Sequence, residues 1–89
     1  MEISYDPAKN TQNITERGLS FDQAVDFDFE TAMFDVDIRH DYGETRHIVL
    51  RLLNGRVHML IFAETSKGIR IISFRKANKR EVRQYEQKG

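Results

Sequence analysis

Cysteine is absent from this 89-residue chain, and so are long apolar runs, glycine-rich loops and any net charge. Without cysteine there are neither disulfides nor thiolate metal sites, and nothing in the composition points to an oxidising compartment. No apolar stretch approaches the ~20 residues of a membrane-spanning helix, and the N-terminus lacks a signal-peptide pattern. A soluble, cytoplasmic, single domain over residues 1–89 is therefore expected, with no membrane partner. The three histidines are never four residues apart. The neighbouring acids Asp26, Asp28, Glu30, Asp35 and Asp37 lack the glycine and spacing of a calcium loop, so they read as an acidic surface and no metal site is expected. The missing glycine-rich phosphate cradle argues against nucleotide-dependent chemistry, and no cofactor is expected.

The zero net charge conceals an asymmetry. Residues 1–45 hold 3 basic and 11 acidic side chains, whereas residues 46–89 hold 11 basic and 3 acidic. Such a chain either steers a polyanion to one face or neutralises itself where its halves pack together.

The pattern of elements is α+β. Asp6-Pro7 predicts an N-cap with proline at the first helical position, and Gly18 the matching stop; the helix between them is polar, with Ile14 as its main apolar contact. Ser20 and Gln23 have capping-box spacing for a second short helix through Ala24, Val25 and Phe27. From Thr31 the period changes to two: Ala32, Phe34, Val36 and Ile38 alternate with Thr31, Asp35 and Asp37, Met33 being the exception, which predicts a half-buried strand. After a loop at 40–43, strands are predicted over Thr45 to Leu53 and Arg56 to Glu64, joined by an Asn54-Gly55 hairpin turn. Leu60-Ile61-Phe62 marks the latter as a central strand buried on both faces. A fourth strand spans Ile69 to Arg75, and Asn78 with Glu81 caps a final helix carrying Val82 and Tyr85 on one face. The expected architecture is two short N-terminal helices, a four-stranded antiparallel β-meander and a C-terminal helix.

Chemistry concentrates in residues 70–81, where an apolar strand passes into a helix and the polar positions are mostly cationic donors beside Ser73. Crowded guanidinium and ammonium groups suit an anion, phosphate above all. A solvated basic helix face is the structural alternative. On motif grounds the chain resembles the BrnT family, the toxins of BrnT/BrnA type II toxin–antitoxin modules. The likeness is carried by Tyr5-Asp-Pro-Ala-Lys9, Asn13, Gly18-x-Ser20-Phe-x-x-Ala24, Asp41-Tyr-Gly-Glu-x-Arg46, Arg70-Ile-Ile-Ser-x-Arg-Lys-Ala77 and Glu81-x-x-x-Tyr85-Glu86. It runs nearly end to end and departs from the family pattern at Tyr5, Glu16-Arg17 and Phe74. The resemblance implies a RelE-like fold and a ribonuclease that stops translation by cutting RNA. It also implies a BrnA-like antitoxin partner, whose ribbon-helix-helix domain contacts operator DNA, so that the toxin meets DNA only indirectly.

Metal-free RNA cleavage needs a base for the 2′-hydroxyl, cations for the dianionic phosphorane and an acid for the departing 5′-oxygen. Arginine is the better clamp, because its planar fork meets two phosphate oxygens. Arg70 and Arg75 are the first candidates and Arg46 the next, with Glu44 orienting Arg46 and Ser73 bonding a phosphate. Lys76, Lys79, Arg80, Arg56 and Lys9 are candidates for holding RNA. Glu44, His47, Lys76 and Tyr85 are the candidate acids and bases. Three of them have a structural reading beside them: a loop salt bridge for Glu44, a plain strand histidine for His47, helix packing for Tyr85. His58 reads as a packing residue with one satisfied nitrogen, and Glu81 as a capping residue. By strand parity Ser73 and Arg75 share a side with Ile69 and Ile71, and Arg70 lies on the other, so both arginines serve one site only across a bulge or strong twist. The rival function is a non-catalytic RNA- or protein-binding module using the same basic strand–helix edge.

Overall fold

The computed structural model describes residues 2–26, 32–38, 41 and 43–88. Phe27, Asp28, Glu30, Thr31, His40 and Tyr42, placed above in a helix, an acidic surface, a strand and a loop, lie outside the described residues. The chain runs β1 (Glu2–Tyr5), α1 (Pro7–Arg17), a 3₁₀ helix (Phe21–Asp26), β2 (Met33–Val36), β3 (Arg46–Leu53), β4 (Arg56–Glu64), β5 (Gly68–Lys76) and α2 (Lys79–Lys88). The strands form one sheet in the order β1-β5-β4-β3-β2.

The α+β class holds, and two details change. Among the described residues the sheet has five strands and is mixed, because β1 pairs parallel to β5 from Glu2↔Gly68 to Tyr5↔Ile71, while the other pairs are antiparallel. A Glu-Ile-Ser-Tyr stretch is too short to announce a strand by period. Its signature lies on its partner: a Cβ built on Gly68 would sit 2.0 Å from the Glu2 carbonyl oxygen, so only glycine admits this close backbone approach. The second N-terminal helix is one 3₁₀ stretch, Phe21–Asp26, rather than an α-helix. Its box is half formed: the Gln23 side chain accepts from the Ser20 N–H at 2.9 Å, but Ser20 Oγ accepts from the Asp22 N–H at 3.2 Å instead of the third position.

The remaining local chemistry behaves as its residue types dictate. Asp6 accepts from Ala8 N at 2.9 Å, Pro7 opens α1, and Gly18 closes it by donating to the Ile14 carbonyl at 2.8 Å. Asn54 and Gly55 both adopt positive φ, 54° and 78°, the twist that a two-residue hairpin between β3 and β4 requires. Asn78 and Glu81 form a complete capping box at α2, each side chain accepting from the other's N–H at 2.9 Å.

Both faces of the sheet are covered, and β4 is buried on both. One core gathers Leu19, Phe21, Ala24, Val49, Leu60, Phe62, Ile71 and Phe74 beneath the N-terminal segment; the other gathers Leu50, Val57, Met59, Ile61 and Ala77, with Val82 and Tyr85 of α2 against them. Helix α1 docks differently from expectation. Ile14 is exposed, and the buried residue is Asn13, whose amide donates to the Leu19 and Phe74 carbonyls at 2.9 Å each. A polar helix with one inward amide is held by hydrogen bonds rather than by an apolar stripe.

The β4–β5 pairing contains the irregularity on which arginine placement turns. Phe62 pairs with Ile71 but Ile61 pairs with Ser73, so Ile72 is the extra residue of a bulge. Phe74 thereby joins Ile69 and Ile71 in one core, while Arg75 and Arg70 come to lie opposite Met59 and Ala63, four residues apart on β4 and hence on one face. The side assignment expected from simple alternation is corrected by this one residue.

Candidate functional site

Two assemblies of cations emerge. At one end of the sheet, Arg46 and Arg70 both pair through register with Ala63, so they flank it on β3 and β5. They share one carboxylate: Glu44 Oε2 accepts from Arg46 Nε at 3.4 Å and from Arg70 Nη2. Glu44 thus pairs with both arginines. Through it the acidic half of the chain meets the basic half. Arg75 lies ~13 Å farther along, at about 3.3 Å per residue over four residues of β4.

At the other end, an open cleft of about 710 Å³ lies between the C-terminus of α1, the β3–β4 hairpin and the end of β5. Arg17, Arg56, Arg75 and Lys76 line it, with His58 at the wall and Glu16 as its acidic side chain. Each is placed by the fold. Arg17 closes α1 and donates to Asn13 Oδ1 at 3.3 Å, so the buried amide that docks the helix also positions this guanidinium. Arg56 follows the Asn54-Gly55 turn. Lys76 is brought opposite His58 by the bulge; regular pairing would have put Arg75 there. Arg75 lies on the stretch of β5 beyond the last β1 partner and is gripped by Glu81 through two bonds of 2.8 and 3.0 Å.

Burial pushes the Glu81 carboxyl up, but bonds from Arg75 and the Asn78 N–H, with the charges of Arg75 and Arg80, outweigh it and hold the group below its ordinary value. Away from the cleft, hydrogen bonding to Asp22 first, then burial and the Asp22 charge, hold the Tyr5 phenol above its ordinary range.

The other candidates are dispersed around these two centres. Lys9 and Ser73 share a groove of about 230 Å³ between α1 and β5, which adjoins the cleft at Glu16 and Arg17. Arg80 borders a third depression with Arg75 and Glu81, and Lys79 is exposed in the first turn of α2. His47 stacks on Phe62, with ring centroids 5.1 Å apart, and reaches Glu64 at 3.8 Å. Tyr85 packs α2 against the sheet and accepts a bond from Arg51. Arg56, Arg75 and Lys76 therefore come together, whereas Arg46, Glu44 and Arg70 form a separate centre.

Sequence reasoning passed over Arg17 and His58 as cleft residues. Arg17 had a weak signal, a cation in the last turn of a helix just before its glycine stop. For His58 there was none, because its position opposite Lys76 depends on a bulge at an isoleucine.

No curated protein matches the chain. The arrangement of a basic cleft and paired arginines lies within residues 5–81, which match the family model described as the ribonuclease toxin BrnT of type II toxin–antitoxin systems, and the chain belongs to that family.

Proposed function

We propose that this toxin is a metal-independent endoribonuclease of the cytoplasm that stops translation by cutting RNA at the α1–β5 cleft, and that a BrnA-like antitoxin neutralises it. The observation that carries the reading is the convergence of Arg17, Arg56, Arg75 and Lys76 on one cleft with Glu16 as its carboxylate. Among the described residues four cations stand against one acid, which suits a phosphodiester, and the same excess of positive charge repels a divalent metal. In the reaction these cations stabilise the dianionic phosphorane as it forms. Arg75 is the best oriented of them, its fork fixed by Glu81 before substrate arrives.

Lys9 and Ser73 extend the track along α1 to the next phosphate, and Lys79 and Arg80 flank it from α2. Arg46, Glu44 and Arg70 stand outside the reacting centre in this reading. The antitoxin acts by covering the same basic margin, and contact with operator DNA belongs to the antitoxin alone.

The test is incubation of the purified chain with RNA in excess EDTA. Cleavage leaving 2′,3′-cyclic or 3′-phosphate ends is expected. Loss of activity on chelation, or ends bearing a 3′-hydroxyl, overturns the mechanism. Co-expression with the adjacent gene should abolish growth arrest; a neighbour that leaves toxicity intact removes the proposed partner.

A further inference from the structure

We infer that His58 is the general base of this reaction, an assignment that rests on the cleft being the place where RNA is cut. His58 is 5% exposed, yet it forms part of the cleft wall with the four cations. Its Nδ1 lies 2.8 Å from the Arg56 carbonyl oxygen. A carbonyl only accepts, so the proton resides on Nδ1 and the lone pair of the neutral ring on Nε2. The Phe74 ring, its centroid 5.8 Å away, backs the imidazole on the core side. Among the described residues Nε2 has no hydrogen-bond partner. The histidine is thus held in one tautomer, with its basic nitrogen uncommitted beside a site built for phosphate.

Among the described residues its charged surroundings are cationic except for Glu16. Lys76 on β5 and Arg51 on β3 stand opposite it in register, Arg56 lies two residues back on its own strand, and Arg17 and Glu16 face the cleft from α1. Arg51 is directed to Tyr85, so Lys76 is the cross-strand neighbour that shares the cleft.

The step balances without any added reagent. The 2′-hydroxyl proton passes to Nε2, and the freed oxygen attacks phosphorus. The P–O5′ bond breaks with its electron pair leaving on O5′, which takes a proton from water. The imidazolium returns its proton to the hydroxide so formed, leaving a 2′,3′-cyclic phosphate and a 5′-hydroxyl.

The experiment compares wild type with H58Q on a single-stranded oligoribonucleotide and on its uncuttable 2′-O-methyl counterpart. A glutamine amide hydrogen-bonds but takes no proton, so cleavage should fall by about 10²–10⁴-fold, the range of general base catalysis, while 2′-O-methyl RNA binds as before. Wild-type cleavage by H58Q overturns the assignment and leaves the proposed function standing. Loss of binding together with cleavage overturns it in favour of a binding role. A wild-type chain that cuts no RNA removes both readings at once. Should H58Q fail to fold, imidazole ¹⁵N resonances of the wild-type chain decide: a shift of His58 Nε2 on saturation with 2′-O-methyl RNA supports the base, and an unmoved resonance overturns it.

Discussion

Arg46 and Arg70 meet at a shared carboxylate, whereas Arg17, Arg56 and Lys76, at the far end of the same sheet, have no carboxylate partner among the described residues. In sequence the two sets look alike, basic residues at strand ends and margins. In the fold, one set turns its charge on the chain itself and the other presents it to an open cleft. Arg75 stands between these cases, bound to Glu81 yet bordering the cleft. A cation's availability to a partner is therefore decided by the acid that the fold brings to it, and only a fraction of a basic stretch should be expected to bind an anion.

The sharpest way to break this comparison is to remove charge from each end in turn. Alanine at Arg17 or Arg56 should cost about 1.5–3 kcal/mol of RNA binding, the range of a hydrogen bond to a charged group, or about 10–150-fold in Kd. The slope of log K against log salt should fall by about 1 for each phosphate that is no longer neutralised. R46A should leave both the affinity and the slope unchanged. Equal losses at both ends, measured by anisotropy titration across a salt series, would mean that RNA crosses the whole face and that the paired arginines are released on binding.

Asn13→Ala tests whether the cleft is built or incidental. It strips the partner from the buried Leu19 and Phe74 carbonyls and frees Arg17, so about 1–3 kcal/mol of stability should be lost together with RNA affinity. Urea unfolding and the same titration read the two effects. A stability loss with intact affinity would show that Arg17 does not depend on its amide anchor.

How much of this was legible in the sequence follows from the range of each interaction. Asp6-Pro7, Asn54-Gly55 and Asn78 with Glu81 act over two to four residues, and all three placed their elements correctly. The apolar triplet Leu60-Ile61-Phe62 correctly marked the buried central strand. Strand β1 was missed because its reason for existing lies on Gly68, far along the chain. A bulge was named as the condition for Arg70 and Arg75 to share a side, but its place at Ile72 was not, because no glycine marks it, and with it went the true facing of Arg75 and Lys76. Part of the candidate site, Arg56 with Arg75 and Lys76, was thus named from residue type alone. Its grouping, and the membership of Arg17 and His58, depended on tertiary register that no local pattern encodes.

Acid provides a subtler probe of the intermediate case. The Glu81 carboxyl lies below its ordinary value of 4.5 in the folded chain, so its contribution to stability is complete above that value. It is lost as the pH falls through the lower folded value, when protonation releases Arg75 and the α2 cap. Thermal unfolding followed from neutral to acid pH should show an advantage of wild type over E81Q that disappears at the acid end. A constant difference would mean that the charge of Glu81 contributes nothing beyond its hydrogen bonds.

The smallest effect is expected at Glu44, although it draws in two arginines. Its side chain is 31% exposed and that of Arg70 44%, so water screens the pair and the entropy of holding long side chains offsets much of the attraction. E44Q should therefore lower stability by under ~1 kcal/mol, a few degrees in melting temperature for a chain of this size, and the difference should shrink with added salt. RNA affinity separates two meanings of the pair. If Glu44 merely ties β3 to β5, E44Q binds RNA as wild type does. If instead the carboxylate occupies a phosphate position, its neutralisation frees two guanidinium groups, and affinity and salt slope rise together. The internal pairing of charge at this end of the sheet predicts the first result; the second would turn the paired arginines into a masked extension of the cleft.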